Sequence, residues 1–410
     1  MLEQIGINAK KMAAYVRKLS ANEKNKILFA CADELEKNSQ KILAENARDM
    51  AAADPTRAAF NDRLLLTEPR ISAMAEGLRK VARQDDPTGE TLYVKNLPNG
   101  LKIGEMRVPI GVVGMIYEAR PNVTTDSFAL CLKAGNACVL RGSSEAINSN
   151  IALVKTLQTA LAALNHPREI VQLIEDTSRE TAREFMRMNK YIDMLIPRGN
   201  AGLIASAIEN STIPIIQTGT GNCHIFVDES ADLQKAIPII LNAKTQRPGV
   251  CNACEKVLLH RKIADKFAPE LCRALSDAKV EIRGDLEICA LFSQAKPASD
   301  DDWQTEFLDM IIAIKIVENF DAAIEHIAEF SSAHTDAILT ENYAAANRFV
   351  ELVDSAAVFV NASTRFTDGE EFGLGAEVGI STQKLHARGP MGLTALTTTK
   401  FFALGNGQVR

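Results

Sequence analysis

The feature that most constrains the fold is an alternation of apolar runs with helical segments through the middle of the chain. The runs at 110–117, 137–141, 169–174, 191–196 and 213–216 are mostly apolar, as is typical of strands buried on both faces of a parallel sheet. The segments between them space their apolar residues as amphipathic helices do. Strands that alternate with helices in this way predict a doubly wound α/β domain of the nucleotide-binding kind.

This domain lacks the G-x-G-x-x-G signature, so its cofactor contacts must come from other positions. Arg141 ends the second strand, and its guanidinium either binds an adenosine 2′-phosphate or lies on the surface. Gly199 and Asn200 open the helix after the run at 191–196. Their N–H groups either hold a pyrophosphate or belong to a simple turn.

A second α/β unit is predicted after about residue 230. Its helical segments are 231–243, 261–277 and 320–329, and its strands are 255–260, 279–283, 310–317 and 358–361. A chain of 410 residues is too long for one ordinary core, which agrees with two or three domains. Helical segments predicted at 8–53, with a capping box at Ser20-Ala21-Asn22-Glu23, and at 68–84 precede both units, and we assign them a packing role.

A β hairpin is predicted in front of the first α/β unit. Asn99-Gly100 separates the β-like runs 91–97 and 101–108, and Asn-Gly is a strong signal for a tight hairpin turn. The run 393–403 is rich in β-branched and aromatic residues and is a natural partner for the hairpin. We expect these strands to form an arm that pairs with an edge of another subunit.

The stretch Gln246–Cys254 carries the strongest candidate for chemistry. Cys251 follows an Arg-Pro-Gly turn signal and precedes the buried strand 255–260, so its thiol is expected at the tip of a turn. Three interpretations are open: a structural cysteine, a C-x-x-C redox pair with Cys254, and a lone nucleophile. The redox pair is disfavoured because such motifs open a helix, whereas this one runs into a strand.

Asn122 lies in the loop after the run 110–117, at the end of a parallel strand, where open sheets carry their active sites. Its amide either donates to a developing oxyanion or belongs to an ordinary loop residue before a helix. His224, His326 and His334 are candidate acid–base groups. We interpret His326 and His334 as structural, which is the usual role of a lone histidine.

Composition excludes several classes of function. A net charge of −6 with mixed signs argues against a nucleic acid or a membrane surface as the main partner. The six histidines show no metal-ligand spacing, so no metal is expected. The eight cysteines lack the spacing of a disulfide framework, which fits reduced thiols. Without a membrane-spanning run or a signal sequence, we expect a cytoplasmic protein.

Several long motifs make the chain recognisable when they are taken together. They are Val108–Thr124 (VPIGVVGMIYEARPNVT), Ala134–Gly142 (AGNACVLRG), Ile196–Gly199 (IPRG), Gln246–Pro248 with Cys251-Asn252, His326-Ile327 with His334-Thr335, Phe372–Glu377 (FGLGAE), Gly379–Thr382 (GIST) and His386–Met391 (HARGPM). With them the chain resembles the aldehyde dehydrogenase superfamily over nearly its whole length, specifically the branch that reduces L-glutamyl 5-phosphate. One local departure is Phe330-Ser331-Ser332, where that branch has an aromatic residue or His followed by Gly-Ser.

The resemblance implies a doubly wound cofactor domain, an α/β catalytic domain with the nucleophilic cysteine, and a β arm for oligomerisation. The implied boundaries are 1–90 with 109–230 for the NADP-binding domain, 231–365 for the catalytic domain, 91–108 with 392–410 for the arm, and 366–391 for a Gly-rich segment that returns to the active site. A homo-oligomer, either a dimer or a tetramer, is implied as well.

The resemblance also implies roles for single residues. Cys251 is the nucleophile, Asn122 belongs to the oxyanion hole, and Cys254 is not at a catalytic position. Further contacts are implied for Pro109, Arg141, Gly199 and Asn200 with the cofactor, for Glu306 with the nicotinamide ribose, and for Arg120 with the substrate.

The segment Thr218–His224 is informative because it contains no carboxylate. Hydrolytic members of the superfamily place a glutamate in the matching segment, where it activates water against the thioester. A thioester that must wait for hydride benefits from the absence of that base.

The resemblance therefore implies NADPH-dependent reduction of L-glutamyl 5-phosphate to L-glutamate 5-semialdehyde and phosphate through a cysteine thioester. This reaction is the second step of proline biosynthesis from glutamate, and the upstream glutamate 5-kinase is an implied partner. The alternatives are a hydrolytic NAD-linked aldehyde dehydrogenase and a catalytically inactive, binding-only relative.

Overall fold

The structure is a computed structural model that describes the backbone of residues 1–410 and all side chains except those of Ala58, Ala59 and Ala201. The chain divides into two compact units. The first unit comprises Met1–Thr218, Gly373–Gly379 and Met391–Arg410, and the second comprises Gly219–Phe372 and Ile380–Pro390. Within the described residues, no helix combines the length and the apolar character needed to cross a membrane.

Helices and strands alternate along most of the chain. The helices are α1 (Leu2–Val16), α2 (Ala21–Lys37), α3 (Ser39–Ala51), α4 (Ala58–Leu64), α5 (Glu68–Arg83), α6 (Asn122–Lys133), α7 (Ile147–Ala163), α8 (Arg179–Phe185), α9 (Ala201–Asn210), α10 (Leu233–Thr245), α11 (Arg261–Asp277), α12 (Leu286–Leu291), α13 (Phe320–Phe330) and α14 (Tyr343–Leu352). The strands are β1 (Thr91–Asn96), β2 (Lys102–Pro109), β3 (Val112–Tyr117), β4 (Ala137–Arg141), β5 (Val171–Leu173), β6 (Met194–Arg198), β7 (Cys223–Val227), β8 (Cys254–His260), β9 (Glu281–Gly284), β10 (Lys296–Pro297), β11 (Ile311–Val317), β12 (Thr335–Leu339), β13 (Ala357–Val360), β14 (Ile380–Ser381), β15 (Gly389–Pro390) and β16 (Thr397–Leu404).

The first unit contains the predicted parallel sheet, in the order β5-β4-β3-β6. In chain order this is third, second, first, fourth, which is the arrangement of a nucleotide-binding half-domain. Val113 lies opposite Cys138 on one side and Met194 on the other, and every residue of β3 and β4 is buried. Burial on both faces explains why these runs are apolar throughout. The prediction of a doubly wound α/β domain is confirmed.

The predicted strand at 213–216 is wrong. Only an isolated bridge joins Ile215 to Leu195, although Leu195 N donates to Pro214 O and Ile216 N donates to Leu195 O. Pro214 has no N–H to offer to a neighbouring strand, so the pairing cannot extend through it.

The helical region predicted at 8–53 comprises three helices, α1 to α3, and α5 matches the prediction at 68–84. The second helix begins with a capping box at Ser20, in which Ser20 Oγ accepts from Glu23 N and the Glu23 carboxylate accepts from Ser20 N. This box satisfies two backbone N–H groups that a helix end would leave unpaired. A break of this kind ends one helix and starts the next, which helical periodicity alone does not reveal.

The hairpin prediction is confirmed in the first unit. β1 pairs with β2 in antiparallel fashion, and Gly100 takes a positive φ of 84° in the turn. β16 pairs with the other edge of β2, from Thr397 opposite Pro109 to Leu404 opposite Lys102. The C-terminal run is therefore the partner of the hairpin, as its composition predicted.

The second unit holds a parallel sheet in the order β10-β9-β11-β8-β7-β12-β13. The predicted strands next to the cysteine turn and at 310–317 are confirmed as β8 and β11. The sequence missed β7, α12 and α14. Because β7 pairs with β8 and β12 in the middle of this sheet, the second unit begins at Gly219, whereas the sequence placed the start of the catalytic domain at 231.

An ion pair lies fully buried in the second unit. Lys244 Nζ, near the end of α10, donates to Glu255 Oε2 in β8 at 2.8 Å, and neither side chain is exposed. Burial raises the pKa of Glu255 to about 7, while the charge of Lys244 opposes that shift. Two charges in an apolar interior are tolerated when each compensates the other.

We predict that Lys244→Met lowers the free energy of unfolding by about 3–5 kcal/mol, because Glu255 then loses its hydrogen-bonded countercharge and keeps only the Coulombic attraction of Lys256. The double variant Lys244→Met/Glu255→Leu removes the charge of Glu255 and should recover most of the loss. Urea denaturation followed by circular dichroism measures both. Lys296→Met, which breaks the more exposed pair with Glu281, is the control and should cost less than about 1 kcal/mol. Equal losses in the single and double variants would contradict the prediction.

Candidate active site

The Cys251 turn connects α10 to β8 in the second unit, as the sequence predicted. The side chain of Cys251 is partly buried, and the backbone around it is tightly enclosed. A Cβ atom added at Gly221 would lie 1.5 Å from the Cys251 carbonyl oxygen, so only glycine fits there. The thiol of Cys223 donates to the same oxygen at 3.1 Å. The position of the cysteine backbone is therefore fixed by neighbouring backbone and side chain.

Asn252 attaches the turn to the segment that follows β13. Its Nδ2 donates to Thr367 O at 2.8 Å, and its own carbonyl accepts from Thr364 Oγ1 at 2.7 Å. Thr367 Oγ1 in turn accepts from Thr335 Oγ1 at 2.9 Å. Asn252 is buried, so each of these bonds replaces a contact with water that it lost on folding.

Arg365 lies against the same turn and was missed by the sequence analysis. Its Nε donates to Gln246 Oε1 at 2.8 Å, and its Nη1 donates to Asn252 Oδ1. Gln246 and Asn252 flank the nucleophile candidate in sequence, so one guanidinium bridges both ends of the turn. Burial lowers the pKa of Arg365, with the charge of Arg247 acting in the same direction, whereas Asp368 and Cys251 favour its charged form.

Cys254 has a different environment from Cys251. It is the first residue of β8, is fully buried, and donates its S–H to Lys256 O at 3.2 Å. Burial raises the pKa of Cys254 to about 12. A thiol that stays protonated inside a sheet is a poor nucleophile, which disfavours the redox-pair interpretation.

Residues 219–222 approach the cysteine turn from the start of the second unit. Gly221 N donates to Glu306 Oε1 at 2.7 Å, so the glutamate expected at the nicotinamide ribose is attached to this segment. Asn222 is held by Ser332, whose Oγ accepts from Asn222 N at 2.8 Å. Ser332 belongs to the Phe330-Ser331-Ser332 departure, which therefore supports the segment beside the cysteine.

The three candidate histidines lie in the interior of the second unit. His224 is fully buried, and Asp336 Oδ1 accepts from its backbone N–H at 2.8 Å. His326 packs against Trp303 and Phe330 with ring centroids 5.5 and 4.6 Å apart, and burial lowers its pKa to about 3. These surroundings agree with the structural interpretation of His326.

Asn122 begins α6 directly after β3 in the first unit. Its side chain is exposed, and its Nδ2 donates to Asp126 Oδ2 at 3.0 Å one turn along the helix. Burial raises the pKa of Asp126 to about 6, against the hydrogen bond from Asn122 and the charge of Arg198. The amide is therefore oriented by a carboxyl that titrates near neutral pH.

Four residues expected to contact the cofactor lie in the first unit: Pro109, Arg141, Gly199 and Asn200. Arg141 is buried, so the alternative that it is a surface arginine is wrong. Its Nη2 donates to the carbonyls of Thr177 and Ser178 at 2.7 and 3.0 Å. Pro109 ends β2 and would contact a side chain placed at Gly135.

Asn200 caps helix α9, since its Oδ1 accepts from Leu203 N at 2.9 Å. Its backbone N–H donates to Glu118 Oε2 at 3.1 Å, and a Cβ at Gly199 would also meet Glu118. A pyrophosphate at this helix start would have to displace that carboxylate. Arg120 lies two residues after Glu118 in the chain, and its backbone N–H donates to Glu118 O.

In the part of the chain that the structure describes, no group of three or more His, Cys, Asp or Glu is placed to hold a metal ion.

Comparisons with known proteins identify the family of the chain. The aldehyde dehydrogenase family model matches residues 2–306. γ-Glutamyl phosphate reductase from Lachnospira eligens is 53% identical over 411 aligned residues, which cover 100% of this chain and 99% of the relative. The crystal structure of γ-glutamyl phosphate reductase from Thermotoga maritima has a TM-score of 0.97 and 47% identity, and covers 100% of this chain and 99% of that one.

The chain belongs to the aldehyde dehydrogenase family, among its γ-glutamyl phosphate reductases. The predicted resemblance and fold class are thereby confirmed, and an oxidoreductase is indicated. A more distant structure, an engineered glycolyl-CoA reductase with bound NADP⁺, has a TM-score of 0.72 at 17% identity over 98% of this chain and 96% of that one. At that identity it shows the shared fold alone.

Gly221→Ala tests how strictly the cysteine turn is placed. The new methyl group would overlap the Cys251 carbonyl, so the turn must shift. We predict a loss of about 1–3 kcal/mol in the free energy of unfolding and a fall in turnover of about 100-fold. Gly77→Ala is the control: in α5 the added methyl lies 4.0 Å from its nearest neighbour, and it should leave turnover unchanged. Unchanged turnover in Gly221→Ala would contradict the assigned constraint.

Asp126 gives a pH-dependent prediction. Because its pKa is raised to about 6 from 3.8, the folded protein holds this proton to higher pH than the unfolded chain does. Between about pH 4 and pH 6 its ionisation therefore lowers stability as the pH rises. Asp126→Asn cannot ionise. The free energy of unfolding of this variant minus that of the wild type should therefore increase across this pH window and stay constant at higher pH. Urea denaturation at a series of pH values measures the difference, and a difference independent of pH would refute the assignment.

Proposed function

We propose that the protein reduces L-glutamyl 5-phosphate to L-glutamate 5-semialdehyde with release of phosphate, using NADPH and a thioester on Cys251. The observation that carries the proposal is the Cys251 turn, a partly accessible thiol held by Gly221, Asn252 and Arg365 while Cys254 is buried. The names of relatives about half identical to this chain supply the substrate class. The proposed place in metabolism is the step of proline biosynthesis that follows glutamate phosphorylation.

The thiolate of Cys251 attacks the γ-carbonyl carbon, and the bond from that carbon to the phosphate oxygen breaks. The Asn122 amide and the Cys251 backbone N–H are proposed to donate to the oxyanion that forms. Asp126 accepts one hydrogen of that amide and leaves the other for substrate. Collapse of the reduced adduct breaks the carbon–sulfur bond and returns the thiolate.

The first unit has polar groups that suit a phosphorylated cofactor. Arg141 Nε and Ser143 Oγ are buried at the carboxyl end of β4 and have no hydrogen-bond partner among the described residues. Buried donors without partners are costly, and an anionic ligand would satisfy them. NADPH, when bound, supplies hydride to the thioester carbonyl. Arg141, Ser143, Pro109, Gly199 and Asn200 are proposed to hold it, with Glu306 as the proposed contact of its nicotinamide ribose.

We also propose a cytoplasmic homo-oligomer, a dimer or a tetramer, joined through the arm formed by β1, β2 and β16. Apolar side chains of this sheet are exposed, with Leu92 40%, Val94 51% and Phe401 67% accessible. Strand edges and apolar side chains of this kind are covered in stable proteins by pairing with another chain. Arg120 stays a proposed substrate contact, and the kinase that forms the acyl phosphate stays a proposed partner.

The deciding experiment runs the reaction in reverse. Glutamate 5-semialdehyde is offered with NADP⁺ or NAD⁺, with and without inorganic phosphate, and reduced cofactor is followed by absorbance. We expect reduction to require phosphate and to favour NADP⁺. Reduction without phosphate, accompanied by free glutamate, would instead establish a hydrolytic aldehyde dehydrogenase.

Two cysteine variants serve as controls in the same assay. Cys251→Ser should lower turnover by about 10³-fold or more, because removal of a covalent nucleophile removes the thioester route. Cys254→Ala should retain activity, since that thiol is buried in β8. Full turnover in Cys251→Ser would overturn the nucleophile assignment. A wild-type protein that does not bind NADPH would favour the catalytically inactive, binding-only relative.

A further inference from the structure

Two guanidinium groups lie beside the Cys251 turn. Arg365 bridges Gln246 and Asn252 through its Nε and Nη1, and Arg247 is the exposed residue next to Gln246. The Nη2 amino group of Arg365 has no hydrogen bond to any residue that the structure describes. Two of the three nitrogen atoms of this guanidinium are therefore held, and the Nη2 amino group remains available to bind.

Asp368 and Glu371, the carboxylates that favour the charged form of Arg365, form no ion pair with it. No carboxylate of the described residues lies within ion-pair distance of Arg247 or Arg365, although most arginines of the second unit have such a partner, for example Arg348 with Asp321. The charge of Arg247 disfavours that of Arg365, which shows that the two are close enough to repel. Two like charges kept together beside a thiol are stabilised when an anion binds to both.

We propose that Arg247 and Arg365 form the subsite that binds the phosphate group of the acyl phosphate, and inorganic phosphate in the reverse reaction. This inference rests on the proposed function. The phosphorus atom is joined to the attacked carbon through a single oxygen, whereas the α-carboxylate lies at the far end of the substrate. Arg365 is bonded to residues on both sides of the nucleophile, and a thiolate at Cys251 favours its charged form, so its guanidinium lies near the end of the substrate at which the bond breaks. A guanidinium matches phosphate oxygens with paired hydrogen bonds.

The subsite accounts for the fate of the leaving group. The sulfur–carbon bond forms, the carbon–oxygen bond breaks, and phosphate departs with the electron pair of that bond. Arg365 and Arg247 stabilise the negative charge that grows on the departing oxygen. In reverse, a phosphate oxygen held by the two guanidinium groups attacks the thioester carbon, and the Cys251 thiolate leaves.

The test compares Arg365→Met, Arg365→Lys and Arg247→Met with the wild type in the phosphate-dependent oxidation of glutamate 5-semialdehyde. Each change to methionine should raise the KM for phosphate by ~10-fold or more, the effect of one charge-assisted hydrogen bond. The KM for the semialdehyde, which has the carboxylate but no phosphate, should stay within about twofold. Arg365→Lys keeps the charge but loses the planar fork, so it should be intermediate. Arg348→Met is the matched control and should leave both constants unchanged.

Each outcome is decisive. An unchanged KM for phosphate in Arg365→Met and Arg247→Met overturns the subsite while leaving the proposed function in place. A rise in the KM for the semialdehyde alone overturns it in favour of carboxylate recognition. A wild-type protein that needs no phosphate refutes the proposed function itself. Circular dichroism and urea denaturation report whether each variant keeps its fold, and Arg247→Met, on the surface, tests the subsite even where Arg365→Met does not fold.

Discussion

The close approach of Gly221 to the Cys251 carbonyl is the contact on which the site in the second unit depends. It joins the segment that opens this unit to the turn that carries the thiol, and it leaves no room for a side chain. The same glycine donates its N–H to Glu306, and Cys223 in the adjoining strand donates to the same carbonyl. A nucleophile whose backbone is fixed in this way does not have to be ordered again in each reaction cycle.

Polar side chains in the interior extend this constraint to the surrounding sheet. Asn252 is buried yet bonded on several sides, and its partners Thr364 and Thr367 are themselves buried. The ion pair between Lys244 and Glu255 joins the helix before the turn to the strand after it. Buried polar groups allow few alternative arrangements, because any shift would leave a donor or a charge unsatisfied. The turn is thus held from both of its flanking elements.

Local signals in the sequence predicted the elements that they determine. The Ser20 capping box, the Asn99-Gly100 hairpin and the apolar strand at 310–317 depend on neighbouring residues, and the structure contains all three. β7 was missed because Cys223 and His224 begin it, and its apolar part is short. The failed strand at 213–216 was visible in principle, since Pro214 sits in its centre.

The candidate site contains residues that local sequence signals identify and others that they do not. Asn122 could be singled out because it follows an apolar run, and Cys251 because it follows a turn signal and precedes such a run. Arg365 could not, since its meaning comes from Gln246 and Asn252, more than a hundred residues away in the chain. Arg141 was singled out, but its hydrogen bonds to the loop before α8 were not predicted. Contacts between distant segments form only in the folded chain, so the periodicity of the sequence does not predict them.

The segment Thr218–His224 carries no carboxylate, and its backbone packing restricts where one could be placed. A side chain at Gly219 would strike Thr382 at 2.3 Å, and one at Gly221 would strike Cys251. Asn222 is buried, with its amide bonded to the carbonyls of Trp303 and Phe330. A carboxylate at Gly221 would therefore displace the nucleophile turn, one at Gly219 would displace Thr382, and one at Asn222 would lose the amide donor that binds these carbonyls. Under the proposed mechanism, the packing that fixes the thiol also protects its thioester from hydrolysis, so reduction and phosphate exchange are the remaining routes for that intermediate.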